Sequence, residues 1–278
     1  MVYLLLAVLS SSMISIIMRL SSGKIRANLS MLATNYFICT VLSAAYAEFD
    51  LFMPEAEGFS VTFWLGIISG VLYLAGFVFF QANTNKHGVV LSSVFMKLGL
   101  LVPIIASILF FSEVPTVIQI IGFCIAIFAI ILINRRDGNT EKSFGFGLIL
   151  SLLLSGGADV MAKFFDVFAT QALSSQYLFY TFGTAFILCI ALVVCKKERP
   201  SLKEFIFGTL IGIPNFFSAK FLVRSLAELP AVVVYPTFSV GTLLIVTLAG
   251  VAIFGERLRK VQWLALSAII VALVLLNV

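Results

Sequence analysis

Charge is scarce in this sequence. Asp, Glu, Lys and Arg together make up 11% of the 278 residues, whereas 61% are apolar. Soluble domains carry about 25% charged residues, so an ordinary soluble domain is excluded, and the mean hydropathy of +1.14 points the same way. Histidine occurs once, at His87, and none of the four cysteines forms a CxxC pair. A zinc site or a disulfide framework therefore has no support, and no metal or cofactor is expected. There is no HExxH and no pair of acids at catalytic spacing, so an intramembrane enzyme is not expected. No G-x-x-x-x-G-K-[ST] occurs, which removes ATP hydrolysis as an energy source. Met1 leads into Val2–Met18 without a basic leader or a small-residue cleavage site, which reads as a retained first span rather than a signal peptide.

What the chain has is long apolar runs. Gly, Pro and charge clusters divide it into ten, at about 2–20, 28–47, 59–81, 88–111, 115–133, 144–165, 172–195, 204–225, 230–253 and 260–277. A helix needs roughly 20 residues to cross the hydrocarbon core, so ten spans consume most of the chain and leave only short loops. The expected class is an all-α integral membrane protein whose first partner is the lipid bilayer.

The loops differ sharply in charge. Loops 1–2, 3–4, 5–6, 7–8 and 9–10 carry fourteen of the eighteen basic residues, which explains the net charge of +5 without nucleic acid as a partner. The opposite side has only Arg224, and its loop 2–3 reads EFDLFMPEAEG, with four acids and no base. Basic loops stay in the cytoplasm, which places both termini on the other side of a cell membrane, the bacterial inner membrane being the expected one.

Two halves repeat one pattern. Residues 111–134, FSEVPTVIQIIGFCIAIFAIILIN, align with 254–277, FGERLRKVQWLALSAIIVALVLLN, setting Glu113 on Glu256, Gln119 on Gln262 and Asn134 on Asn277. LAVLSSSMISIIMR (6–19) lies over LSLLLSGGADVMAK (150–163), with Arg19 on Lys163. The third spans share G-x-x-x-G, Gly66 and Gly70 over Gly208 and Gly212. Residues 1–134 and 144–278 thus form two five-span repeats joined by a linker at 135–143. Five is odd, so the second repeat enters the membrane inverted, an arrangement that places a substrate site near the midplane.

FGERLRKVQWLALSAIIVALVLLN resembles the closing segment of the EamA-type repeat of the drug/metabolite transporter superfamily, where a small residue–Glu pair ends the fourth helix and a Gln opens the fifth. SEVPTVIQ resembles the same place in the first repeat. SGGADVMAKFF resembles the repeat's opening helix, with Ser155 where an aromatic residue is usual. The resemblance covers the whole chain and implies a ten-helix transporter; across that superfamily substrates include amino acids, nucleotide sugars, sugar phosphates and drugs. It also implies cytoplasmic termini, against the loop charge.

Polar residues within the spans are the candidate site. Lys97, in VLSSVFMKLGLLVP, lies about 15 Å along a helix from His87, too deep for its amine to reach the interface easily, and so is read as facing a polar cavity. Ser93 and Phe95 precede it. In the second half VVVYPTFSV sets Tyr235 and Pro236 at the equivalent place, with Phe238 opposite Phe95 as a gate or core residue and Val240 opposite Lys97. Asp159 is the one acid read as deep in a span. It either pairs with Lys163 four residues on, serves as a proton or cation site, or balances Lys97. Lys220, near its helix end, either snorkels or joins Asn215 and its repeat counterpart Tyr73 in orienting a substrate. Glu113 and Glu256 read as caps at span ends, and Trp64, Tyr36 and Tyr46 as interfacial anchors.

Three span lysines against one acid favour a substrate with a carboxylate or phosphate, such as an amino acid, moved by a secondary transporter through alternating access. A coupling proton or a counter-substrate would then be a second small partner. The alternatives are an exporter of organic cations or drugs using Asp159 with aromatic faces, and an accessory protein that binds or flips a lipid head group. With both repeats in one chain, a monomer suffices.

The orientation is testable by labelling. In a cysteine-free background, Glu55→Cys should react with an impermeant maleimide on intact cells, and Lys142→Cys only after permeabilisation. The reverse pattern would invert the topology.

Overall fold

A computed structural model describes residues 1–21, 23–87, 92, 95–96, 98–133, 146–255 and 260–277. Among these, helix is the only regular element. The order is α1 (Val2–Ser21), α2 (Asn28–Tyr46), α3 (Phe59–His87), α4 (Leu101–Phe111), α5 (Val117–Ile133), α6 (Phe146–Phe168), α7 (Ser174–Cys195), α8 (Leu202–Leu226), α9 (Ala231–Phe254) and α10 (Lys260–Leu276), with a 3₁₀ turn at Gln171–Leu173. Seven of these are long and apolar enough to cross a membrane alone; α4, α5 and α10 are shorter. Together they make an integral membrane protein.

The repeat offset found in the sequence returns in the backbone. Adding 143 to the start of α3 (Phe59) gives the start of α8 (Leu202), and adding it to Val117 and Ile133 gives Lys260 and Leu276, the ends of α10. The residues that stop α4 and α9 match as well: Ser112 (φ 55°) and Gly255 (φ 64°) are both left-handed, with cap N–H groups returning to the carbonyls of Ser107 and Gly250. That is why a small residue precedes the glutamate in each half: the helix must end on a residue that tolerates positive φ.

Three boundaries differ from the expected spans. α3 runs on to His87, taking in residues expected in a loop, because Asn83 inside it donates to the carbonyl of Gly147 at 2.6 Å and needs no water. α6 runs to Phe168 rather than 165. The fourth span is not one unbroken helix. The described residues at 92, 95, 96 and 98 are helical, the chain turns at Gly99 and Leu100, and α4 proper starts at Leu101.

Packing divides the chain into two compact units, Met1–Leu74 with Met161–Glu228, and Ala75–Val160 with Leu229–Val278. Each takes elements from both halves of the sequence. In the first unit α2 packs on α7 and α8, and α1 on α8. The two G-x-x-x-G motifs make these seams. A Cβ on Gly66 or Gly70 would run into Tyr180, Thr184 and the Thr181 carbonyl of α7, and one on Gly208 or Gly212 into Thr34, Ile38 and the backbone of α2. Without a hydrophobic drive between helices in lipid, such close approach is what makes the contact favourable. In the second unit α5 packs on α10, α9 contacts α4, α5 and α10, and Gly99 meets Gly156 of α6 backbone to backbone.

Acidic side chains tie the helix ends. Glu204 accepts from the backbone N–H of Arg26 (2.9 Å) and Ala27 (3.3 Å) with one oxygen, and from Ser201 with the other in a capping box. Glu198 accepts from the Ser30 N–H (2.9 Å) and hydroxyl (3.0 Å). These two supply the N-terminus of α2, whose own cap residue, Ala27, has no side-chain acceptor. In the second unit Glu113 accepts from Ala231 N–H at 2.7 Å, capping α9, so the structural role read for Glu113 holds. Glu256 lies outside the described residues.

Glycine substitution separates the seams from the rest. Gly70→Val should cost about 1–3 kcal/mol through overpacking and lower the melting temperature in detergent. Gly183→Ala, whose Cβ would find only Thr40 at 3.7 Å, should leave it unchanged or raise it, as a helical glycine replaced without a clash gains about 0.5–1 kcal/mol.

Candidate functional site

In the first unit the polar residues gather halfway along the helices. Asn35, near the middle of α2 and 3% exposed, accepts from the side-chain amide of Asn215 on α8 at 3.1 Å. The Cys39 thiol lies 3.8 Å from the same Asn35 oxygen and 3.3 Å from the Gly212 carbonyl. One turn of α2 thus presents an amide and a thiol to α8 at the point where Gly212 lets the backbones meet. Beside it, Tyr36 stacks on Phe182 of α7 with ring centroids 6.3 Å apart, and Tyr73 of α3 meets the same ring edge-on at 6.1 Å. An uncharged amide–phenol group at mid-helix therefore comprises the Asn35–Asn215 pair between α2 and α8 and the phenols of Tyr36 and Tyr73 against Phe182, of which Asn215 and Tyr73 are half-buried. Amides and phenols both give and take hydrogen bonds without the cost of burying a charge.

The first unit also holds two of the three span lysines, each with a partner. Lys163 is 5% exposed and reaches Asp166 Oδ2 at 3.2 Å, while the other oxygen of Asp166 accepts from Gln171 Nε2 at 2.9 Å. Next to the pair, Phe165 stacks on Tyr177 at 4.6 Å, and the Tyr177 hydroxyl bonds to Ser69. Lys220 sits over the ring of Tyr46, 3.1 Å from its centroid, with Phe216 at 5.7 Å. Tyr46 ends α2 and is exposed, so Lys220 carries its charge toward the helix end along an aromatic face.

The second unit contains Phe95, Asp159 and Tyr235. Phe95 is buried and Asp159 half-buried. Tyr235, 1% exposed, donates its hydroxyl to the backbone carbonyl of Asp159 at 2.6 Å. Pro236 follows inside α9, where it lacks an N–H and leaves a carbonyl one turn back without its helical donor. Near the same stretch Asn277 donates to Thr237 at 3.2 Å. Tyr235 thus anchors the α6 backbone at Asp159. Lys97 and Ser93 lie outside the described residues.

Three sequence readings change. Tyr36 is no interfacial anchor: it sits mid-helix, 3% exposed, in the aromatic group, whereas exposed Trp64 and Tyr46 keep that position. Asp159 is not alone as an acid within a helix, because the longer α6 takes in Asp166, which pairs with Lys163. Asn35 went unrecognised although an amide midway along an apolar span was itself the signal; its counterpart in the other glycine seam is Thr181, whose carbonyl faces Gly70 as that of Asn35 faces Gly212.

The family model of the EamA-like transporter family matches residues 1–135 and again 144–278. An uncharacterized protein of Haemophilus influenzae is 23% identical over 278 residues, covering 95% of this chain and 93% of that one. A solved crystal structure of a protein superposes with a TM-score of 0.74 at 12% identity, over 99% of this chain and 94% of the other, which shows a shared fold. Matched across both repeats, with helix caps recurring at one offset and glycine seams joining the halves, the chain belongs to the EamA-like transporter family, membrane transporters of small molecules.

Proposed function

We propose that the protein is a secondary transporter that moves a small polar metabolite by alternating access, driven by a gradient or by exchange. The observation that carries this reading is the amide–phenol group of Asn35, Tyr36, Tyr73 and Asn215 at mid-helix depth. Uncharged hydrogen-bonding groups at that depth are costly in lipid unless they are satisfied or used. Here one half of the group, Asn35 and Tyr36, is buried and braced, and the other, Asn215 and Tyr73, is half-open. Such a set suits the hydroxyl, amide or amino groups of a metabolite better than a lipid tail.

The substrate's anionic group, a carboxylate or phosphate, is assigned to Lys97 and Ser93 from their place in the sequence. Of the other span lysines, Lys163 has its charge held by Asp166 and Lys220 by the Tyr46 ring. One chain is sufficient for the cycle.

Thermal stabilisation tests the reading, because a ligand that binds the folded state raises its melting temperature. Wild type, Asn215→Leu and Lys97→Ala are to be screened against amino acids, phosphorylated metabolites, organic cations and short-chain phospholipids. An anionic metabolite should stabilise the wild type, with the shift lost in Lys97→Ala and reduced at least severalfold in Asn215→Leu. Stabilisation by cations alone, lost in Asp159→Asn, would make it a cation exporter. Stabilisation by phospholipid alone would make it a lipid handler.

A further inference from the structure

Two side-chain amides meet midway along their helices and make one hydrogen bond where two are possible. Asn35 lies near the middle of α2 and Asn215 near the middle of α8, both in the first unit. Asn215 Nδ2 donates to Asn35 Oδ1 at 3.1 Å, and the Cys39 thiol stands 3.8 Å from the same oxygen. Facing amides can complete a reciprocal bond, here from Asn35 Nδ2 to Asn215 Oδ1. That bond is not made. Among the described residues nothing accepts from Asn35 Nδ2 and nothing donates to Asn215 Oδ1, although Asn35 is 3% exposed.

Such a pair is a poor helix–helix clasp. Polar side chains hold membrane helices together by satisfying one another, and an open donor or acceptor away from water carries a desolvation cost that nothing offsets. If joining α2 to α8 were the only task, a second bond or two apolar side chains would do it at less cost. The Gly212 seam joins these helices already: a Cβ there would meet the Asn35 carbonyl at 2.9 Å and Ile38 at 2.8 Å. Pro214, beside Asn215 inside α8, lacks the N–H that would bond the carbonyl of Leu210 one turn back. Backbone is left open in this way where it lines a cavity.

We propose that the substrate carries a planar amide, either an open-chain carboxamide or the N–H/C=O edge of a ring, and that Asn35 and Asn215 read it. The inference rests on the transporter reading above and names the neutral end of its substrate. The ligand's C=O accepts from Asn35 Nδ2 while its N–H donates to Asn215 Oδ1, so a third amide closes the bond that the pair leaves open. Other groups fit one half only. A carboxylate accepts from Asn35 but sets its lone pairs against the Asn215 carbonyl. An ammonium donates to Asn215 but faces the amino hydrogens of Asn35. An alkyl end leaves both amides unpaired. A hydroxyl must serve both groups through a single atom, whereas an amide presents donor and acceptor on two atoms, as the pair does.

Melting temperatures of the purified protein, measured over a range of probe concentrations, give apparent affinities for the folded state. The amide probes are glutamine, asparagine and orotate. Their matched controls are glutamate, aspartate and benzoate, with norleucine as an apolar chain. The variants are Asn215→Leu, which keeps the volume, and Asn35→Thr, which gives this seam the residue of its counterpart Thr181. Wild type should bind at least one amide probe about tenfold or more tighter than its control and norleucine, as expected where the wrong group leaves an amide unpaired. In both variants that preference should fall below about threefold. A pair that only joins helices behaves otherwise: both variants would melt lower without ligand and weaken every probe alike, and an unchanged preference for the amide would overturn the inference. So would stabilisation of wild type by probes lacking an amide, glycerol 3-phosphate and succinate included, with no preference for the amide; the transport reading would then stand. No stabilisation by any of these probes, or by the compounds screened above, would remove the transport reading and this inference with it.

Discussion

Where a helix end is buried, as at Ala27, Ser30 and Ala231, the N–H groups of the first turn have only protein to bond, and this demand organises the acidic side chains. Glu198 and Glu204 bond the start of α2 from a distant part of the chain, and Glu113 bonds the start of α9. Each carboxylate accepts backbone donors at a helix end where the dipole also favours negative charge. Because acceptor and donor come from different elements, each cap is also a tertiary clamp. The same residue satisfies the backbone and fixes which helices are neighbours.

Close packing makes those clamps geometrically possible. Glycine faces on α3 and α8 bring backbones together along α7 and α2, and Cys39 and Asn35 use the seam at Gly212 to reach carbonyl and amide partners. The seams are related by the repeat, but their chemistry is not. One side carries Asn35, Cys39 and Asn215, the other Thr181, Ala185 and Tyr73. A fold built by duplication thereby acquires different groups on its two related seams.

Charge in the helices follows the same economy. Asp166, held in turn by Gln171, pairs with Lys163, while Lys220 lies on an aromatic ring near a helix end. The first arrangement holds a charge inside and the second leads one out. Only the first is difficult to explain by stability alone, since an apolar pair would fill that space at less cost.

The sequence by itself determined the class, the ten-segment pattern, the duplication and the capping role of Glu113. Hydropathy sets what enters lipid, and a 143-residue offset survives in helix ends because caps depend on local residues such as Ser112 and Gly255. It could also point to Asn215, Tyr73 and Tyr235, since polar groups in apolar runs stand out. Tertiary structure alone decided their partners. Asn35 meets Asn215 across 180 positions, Tyr36 turns inward because α7 offers Phe182, and Asp166 joins a helix because Lys163 and Gln171 satisfy it there. Hydropathy ranks residues one at a time, whereas the cost of burying a polar group depends on the group it meets.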